Sequence, residues 1–216
     1  TFEKVLLWSL PRTGRILEAG CGLAQVVVAL RARGYHVEGV DWAPETIHQV
    51  REQFPDLPVR VADLTNLDVP DGYYSGYISL GVMEHLWRGP EPLLREAHRV
   101  LGPRGVALIS VPYFHALRRL KARLGLYRGP GSEQTFYQYA FTRAEFAELL
   151  MAAGFQVVET AAYDAYKGIK DEIPLRWAFR LRGIGWRFER WLRSARWLDR
   201  VFGHMILFVC RKSELR

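Results

Sequence analysis

The chain has 216 residues, of which 49% are hydrophobic and 25% are charged, and its formal net charge is +7. This balance predicts one globular domain over residues 1–216 with its own core, and it argues against a disordered chain or two full domains. The longest apolar run is shorter than the roughly 20 residues of a membrane span, and Cys21 and Cys210 lack metal-ligand spacing. We therefore expect a cytoplasmic protein without a metal site.

Short apolar runs alternate with helical patterns along most of the chain. Strands are predicted at residues 15–19, 36–40, 59–62, 77–80 and 106–111, and helices at residues 24–33, 44–54 and 91–101. A later helix at 142–153, with Thr142 and Glu145 at capping-box spacing, precedes two strands at 155–160 and 205–210. This order predicts an α/β fold with a doubly wound, mostly parallel seven-stranded sheet and ligands beyond the carboxyl ends of its strands.

The strongest local signal is the glycine turn that follows the first strand. Gly20, Cys21 and Gly22 come immediately before a helix, where small residues let a ligand approach free backbone N–H groups. A dinucleotide site would have a third glycine where Gln25 stands. Glu18 would oppose a pyrophosphate but could bind an ammonium group. The turn therefore favours an adenosylated amino acid over a dinucleotide, although a plain tight turn stays an alternative.

Carboxylates also follow the second and third strands. Asp41 lies nineteen residues after Gly22 and can accept hydrogen bonds from both ribose hydroxyls, while Trp42 could line the ribose or the adenine edge. Asp63 could accept from an adenine amino group, with the Leu64 backbone serving a ring nitrogen. The alternative for each aspartate is a turn residue that caps or shapes its own loop.

Residues 16–111 resemble the class I S-adenosylmethionine-dependent methyltransferases, in the broad type 11-like group that includes quinone-biosynthesis and small-molecule methylating enzymes. Five pieces carry the resemblance, in order and at normal spacing: E-x-G-x-G at 18–22, V-x-G-V-D at 37–41, A-D-L at 62–64, L-G-V-M-E-H-L at 80–86 and R-V-L-x-P-x-G at 99–105. The chain departs from the family pattern at Ala24, where a third glycine is usual, and at Tyr74-Ser75, where Phe-Asp is usual.

This resemblance implies a Rossmann-like methyltransferase fold and S-adenosyl-L-methionine as the cofactor. It implies that Glu18 and Gly20 hold the methionyl part, Asp41 the ribose, and Asp63 and Leu64 the adenine. The other predicted cofactor contacts are Cys21, Gly22, Trp42, Gly81 and Val82, the last two forming the floor under the methyl donor. Two other functions stay open: an NAD-linked Rossmann oxidoreductase, and a non-catalytic module that binds S-adenosylmethionine.

Methyl transfer requires a general base only if the acceptor must lose a proton. His85, which follows the fourth strand at the mouth of the site, is the candidate catalytic residue, because an imidazole titrates near neutral pH. The alternative is that His85 orients neighbouring groups or caps a helix, together with Glu84. Tyr113, His115 and Tyr137 are candidates for the acceptor pocket.

Helical cap inserts are predicted at about 112–141 and at about 167–203. Both are basic: residues 112–132 carry five Lys or Arg and no acid, and residues 167–200 carry ten Lys or Arg against four Asp or Glu. The first insert follows the fifth strand and should overhang the site as a lid. Its helix is predicted to present leucines on one side and basic residues on the other: Leu117, Leu120 and Leu124 opposite Arg118, Arg119, Lys121 and Arg123.

The second insert alternates aromatic and aliphatic residues with arginines at helical spacing, and three interpretations stay open. It could be a cap on the sheet with an arginine-rich solvent face. It could be an interfacial helix on anionic membrane, which would bring a lipophilic acceptor such as a quinone precursor or a lipid to the site. Nucleic-acid binding is the third, and the mildly acidic remainder of the chain disfavours it. The pattern does not predict the acceptor or the oligomeric state.

Overall fold

The structure is a computed structural model that describes residues 2–126, 138–172, 190 and 195–213. The strands are β1 (Ile16–Ala19), β2 (Val37–Asp41), β3 (Val59–Val61), β4 (Tyr74–Leu80), β5 (Leu101–Pro112), β6 (Phe155–Tyr163) and β7 (Met205–Lys212). The helices are α1 (Phe2–Ser9), α2 (Gln25–Arg31), α3 (Pro44–Gln53), α4 (Glu91–Val100), α5 (Ala116–Arg123), α6 (Arg143–Ala152), α7 (Ala165–Glu172) and α8 (Asp199–Phe202). Short 3-10 turns span Met83–His85 and Arg196–Leu198.

The strands form one seven-stranded sheet in the order β3-β2-β1-β4-β5-β7-β6. The first five strands are parallel, and β7 runs antiparallel to both of its neighbours. The predicted doubly wound, mostly parallel sheet is therefore confirmed. The chain leaves β1 for β2 and β3 and then returns to β4 on the other side of β1, which opens a crevice beyond the carboxyl ends of β1 and β4.

The core lies in two layers, one on each face of the sheet. Adjacent residues of a strand point to opposite faces, and accordingly Ile16 packs in one layer and Leu17 in the other. Helices α1, α2 and α3 cover the Ile16 face, whereas α4 and α6 cover the Leu17 face. The loops after the parallel strands border the crevice, and some of their residues, such as Leu64 and Met83, also belong to the core.

Strands β4 and β5 begin several residues before their predicted starts. Strand β4 begins at Tyr74 rather than Tyr77, and β5 begins at Leu101 rather than Val106. The glycines before Val106 already belong to β5, because Tyr74 pairs with Leu101 before the register shifts. A Cβ on Gly102 would lie 3.0 Å from the carbonyl oxygen of Gly72, so glycine permits this close approach of the two strands. The capping box of α6 is confirmed, since Thr142 and Glu145 exchange both hydrogen bonds.

The lid helix α5 does not bury the side that the leucine pattern indicates. Arg118 is only 8% exposed, whereas Leu124 is 64% exposed. The reason is an acidic partner on α7: the Glu172 carboxylate accepts from Arg118 Nε at 2.8 Å and from Lys121 Nζ at 2.8 Å. The ion pair with Glu172 thus holds the Arg118 side chain in the interior.

The second predicted insert is described only at its two ends. Helix α7 begins it, and the 3-10 turn at Arg196–Leu198 and α8 close it. Residues 127–137, 173–189 and 191–194, with Tyr137 and most of the arginine pattern, lie outside the described residues. In the part of the chain that is described, no helix is both long enough and apolar enough to cross a membrane.

Candidate functional site

The glycine turn lies between β1 and α2 and packs against the loop that follows β4. Gly20 and Gly22 have φ angles of +81° and +50°, and Ala24 has +56°. A Cβ on Gly20 would overlap the side chain of Val82. The structure therefore brings Gly20 and Val82 together, and a side chain at position 20 would separate the two loops that border the crevice.

Cys21 is predicted as part of the same site, but its thiol packs in the core. A Cβ on Gly39 of β2 would lie 2.9 Å from the Cys21 sulfur. Burial, with smaller effects from the charges of Glu18 and Asp41, raises the pKa of this thiol to about 12. The Cys21 side chain is thus directed at β2, and its backbone N–H donates to Val40 O at 2.9 Å.

Glu18 is buried at the end of β1, where it faces the first turn of α2. Its Oε2 accepts a hydrogen bond from the backbone N–H of Val27 at 3.1 Å. Burial raises its pKa to about 8, while the bond from Val27 opposes this shift and the charge of Asp41 adds to it. A cation placed beside the two acids would favour their charged forms.

Asp41 is buried at the end of β2 and binds the glycine turn directly. Its Oδ2 accepts from Gly22 N at 2.8 Å, and its Oδ1 accepts from Ala43 N at 3.0 Å. Asp41 is thus buried rather than exposed, and its bond from Ala43 N also gives it the turn-shaping role that the sequence leaves open. Glu18 and Asp41 converge on one short segment, residues 22–27, from two adjacent strands.

The residues after β2 and β3 form the open side of this region. Trp42 is 77% exposed, so its indole is available to cover a ligand. The backbone N–H of Ala62 donates to Asp41 O at 2.9 Å, which joins the ends of the two strands. Asp63 is exposed, and its Oδ1 accepts from both the backbone and the hydroxyl of Thr65, bonds that lower its pKa. This geometry is that of a turn-forming aspartate, beside the buried Leu64.

The loop after β4 directs two neighbouring side chains in opposite directions. Gly81 has a φ of +71°, and the 3-10 turn that follows exposes His85 and buries Glu84 to 2% exposure. Among the described residues, Glu84 Oε2 is buried without a hydrogen-bond partner. Burial raises the pKa of Glu84 to about 7. The sequence predicts His85 as the catalytic residue of this turn, and apolar spacing contains no signal that Glu84 points inward.

The predicted acceptor residues lie beyond β5. Tyr113 is half-buried, and its backbone N–H donates to His204 O at 2.9 Å. The His115 ring packs between Tyr113 and Phe202, with centroid separations of 6.1 Å and 6.0 Å. Burial lowers the pKa of His115 to about 4, so this imidazole is neutral near pH 7. His115 therefore packs as an uncharged core residue under α8.

A cavity of about 820 Å³ lies at the opposite edge of the sheet, between α1, β6, α7 and α8. Its walls include Phe2, Tyr163 and Tyr166, none of which belongs to the predicted cofactor set. We place the candidate site at the crevice between β1 and β4, because the glycine turn and the buried carboxylates converge there. Tyr163 connects the two regions, since its hydroxyl donates to Ser110 Oγ of β5 at 3.0 Å.

Comparisons with known proteins agree with this geometry. Residues 2–160 match the methyltransferase-domain family. A probable S-adenosylmethionine-dependent methyltransferase of Mycolicibacterium smegmatis is 32% identical over 148 residues, which cover 67% of this chain and 53% of that protein. An S-adenosyl-L-methionine-dependent Diels-Alderase of Talaromyces variabilis is 34% identical over 119 residues, covering 50% of this chain and 40% of that protein. The chain thus spans about half the length of these relatives, or less.

The fold also matches solved structures. An S-adenosylmethionine-dependent methyltransferase from Mesorhizobium loti superposes with a TM-score of 0.64 at 20% identity, covering 96% of both chains. At 20% identity this match supports the fold alone. The family match includes the glycine turn and the strands β1 to β5.

Proposed function

This chain belongs to the family of S-adenosylmethionine-dependent methyltransferases, and on that premise we propose that it transfers a methyl group from S-adenosyl-L-methionine to a small or lipophilic acceptor. One observation carries the proposal. Two buried carboxylates at the ends of adjacent strands, Glu18 and Asp41, accept hydrogen bonds from one glycine turn and the helix after it. Acidic groups beside a glycine turn, where a ligand can approach the backbone closely, suit a ligand that has a positive charge and vicinal hydroxyls.

The residues present fit this cofactor. Each carboxylate oxygen has two lone pairs, so Asp41 could accept from the ribose hydroxyls and still hold Gly22 and Ala43. Glu18 would face the methionyl ammonium, directly or through water, with Gly20 allowing close approach. Asp63 and Leu64 would meet the adenine, and Trp42 would cover it. The remaining predicted contacts are Cys21 and Gly22 through their main chain, and Gly81 and Val82 as the floor.

The bound cofactor would supply an activated methyl group on a sulfonium. The task left to the protein is to exclude water and to align the nucleophile with the methyl carbon. We propose that residues beyond β5, including Tyr113 and Tyr137, border the acceptor, and that His115 supports this pocket from the core by packing against the Tyr113 ring.

The cofactor site is tested by calorimetry with S-adenosylhomocysteine. Asp41→Asn keeps one acceptor oxygen for the turn but removes the charge, and we expect it to weaken binding by roughly 1–3 kcal/mol, the scale of hydrogen bonds to a charged group. Asp56→Asn, a change at an exposed aspartate between α3 and β3, is the matched control. Unaltered affinity in the Asp41 variant, or a wild type that binds NAD instead, would contradict the proposal.

A second candidate is a protein that holds the cofactor without transferring its methyl group. The similarity to a protein named as a Diels-Alderase supports this second candidate function. It predicts that S-adenosylhomocysteine binds, while label from methyl-tritiated S-adenosylmethionine passes to no component of a lipid and metabolite extract. Labelled product in that extract supports methyl transfer, and its lipid or aqueous partition separates a lipophilic acceptor from a small polar one.

A further inference from the structure

We propose that Glu84 is the residue that takes up the proton of the methyl acceptor, and that the acceptor atom is therefore the oxygen of an O–H group or the nitrogen of an N–H group. This inference rests on the proposed function and deepens it. It replaces His85 as the candidate base with the residue next to it. The 3-10 turn after β4 buries the Glu84 side chain and exposes that of His85.

Glu84 points inward, toward the end of β4. A Cβ on Gly81 would lie 3.5 Å from Glu84 Oε1 and 3.6 Å from the methyl carbon of Met205. Gly81 precedes Val82, which packs on Gly20 of the glycine turn. The carboxyl group thus lies beside the floor residues of the proposed methyl-donor site.

The second oxygen of this carboxyl group is unsatisfied. Buried polar atoms in folded proteins almost always have hydrogen-bond partners, and exceptions call for an explanation such as a missing ligand. Within the described residues, Glu84 Oε2 is buried and has none, although its backbone carbonyl accepts from Tyr139 N at 3.0 Å. A bound O–H or N–H group would satisfy the oxygen.

The surroundings of Glu84 suit a proton acceptor. The charge of Glu84 acts on the Tyr163 phenol of β6, whose pKa burial raises to about 12, so Tyr163 is neutral near pH 7. Burial likewise raises the pKa of Glu84 to about 7, opposed by a bond from its own backbone N–H. A base is most effective when its pKa lies near the working pH. His85, by contrast, is exposed on the outer side of the turn.

The step balances without another reactant. A lone pair of the acceptor O or N forms the bond to the methyl carbon while the S–CH3 bond breaks, and that electron pair stays on sulfur as the thioether. The acceptor proton passes to the Glu84 carboxylate and then to water. The products are the methylated acceptor, S-adenosylhomocysteine and one proton.

Glu84→Gln, which keeps the shape of the side chain, and His85→Asn, the matched control, test this inference. Methyl transfer is measured with two protic probes, phenol and aniline, and with dimethyl sulfide, a thioether that has no proton to lose. We expect Glu84→Gln to lower kcat for the protic probes by about 10²–10⁴-fold, the range of general-base catalysis. It should leave dimethyl sulfide turnover and S-adenosylhomocysteine affinity within about threefold, whereas a comparable loss of kcat for the protic probes in His85→Asn alone would assign the base to His85 and overturn the inference.

The pH profile supplies a readout that a purely structural role would not move. The kcat of the wild type with phenol should rise with pH through the Glu84 titration, and this rise should be absent in Glu84→Gln. Infrared spectra give a second readout that needs no acceptor: the difference between the wild type and Glu84→Gln at pH 6 should contain an un-ionised carboxyl band, to which Glu18 does not contribute because both proteins retain it. An equal kcat in the two proteins with phenol, or the absence of that band from the difference spectrum, would overturn the inference. Failure of the wild type to bind S-adenosylhomocysteine would instead contradict the proposed function.

Discussion

At the residue scale, Glu18 and Asp41 each serve the fold before any ligand arrives. Glu18 binds Val27 N and Asp41 binds Gly22 N, so both stabilise the start of α2, where acidic groups interact favourably with the helix dipole. A variant that removes either carboxylate will therefore affect folding as well as binding. This is why the conservative change to an amide is the informative one.

Gly20 is the residue whose size matters most to the crevice. Gly20→Ala would force a positive φ on a residue with a side chain and would overlap Val82. Gly34 has nearly the same φ, +82°, but open space around its Cβ position, so Gly34→Ala isolates the backbone cost of about 1–2 kcal/mol. We expect Gly20→Ala to lower the free energy of unfolding in urea by about 1–3 kcal/mol more than Gly34→Ala does. Equal losses would mean that the overlap with Val82 relaxes freely.

The sequence predicts some residues of the candidate site better than others. Glu18 and Asp41 can be predicted because the motif fixes how many residues separate them from the glycines. In a parallel sheet this spacing places both residues at the ends of adjacent strands. Glu84 received only a supporting role, because no periodicity predicts side-chain direction in a single 3-10 turn. Cys21 was assigned to the ligand, but a small apolar side chain in a tight turn packs equally well on the sheet.

At the element scale, the ion pair between α5 and α7 fixes the base of the lid. The Arg118 and Glu172 side chains are 10% and 6% exposed, so each charge depends on the other for solvation. The leucine stripe of α5 predicted the helix itself but not its rotation. Its acidic partner lies 54 residues away in the chain, too far for a local pattern to indicate.

Glu172→Gln should reveal how much this pair contributes. Removing one partner leaves buried cations uncompensated, and we expect a loss of about 3–5 kcal/mol in the free energy of unfolding. Glu3→Gln is the matched control, because it breaks the exposed pair with Arg33 and should cost about 0–1 kcal/mol. Thermal or urea unfolding of both variants provides the measurement. Similar values for the two would mean that water reaches the α5–α7 pair.

At the scale of the whole molecule, the second basic insert remains a prediction about membrane contact. Changing Arg187, Arg190, Arg193 and Arg196 to Gln should weaken co-sedimentation with anionic vesicles, because each basic residue near such a surface contributes about 1 kcal/mol. The control replaces the same number of exposed arginines elsewhere: Arg88, Arg95, Arg104 and Arg143. Vesicle binding that both variants lose equally, or that ignores lipid charge, would rule out a specific role for the insert.

The antiparallel strand β7 also has a consequence for biosynthesis. It lies between β5 and β6, and β6 meets the sheet through β7. During translation, β6 leaves the ribosome well before β7, the strand that pairs with it. Until β7 emerges, the edge of β5 that pairs with β7 remains unpaired. Because synthesis runs from the N-terminus, the sheet of the nascent domain cannot be completed until residue 212 has left the exit tunnel. During that time a chaperone could shield the unpaired edge of β5.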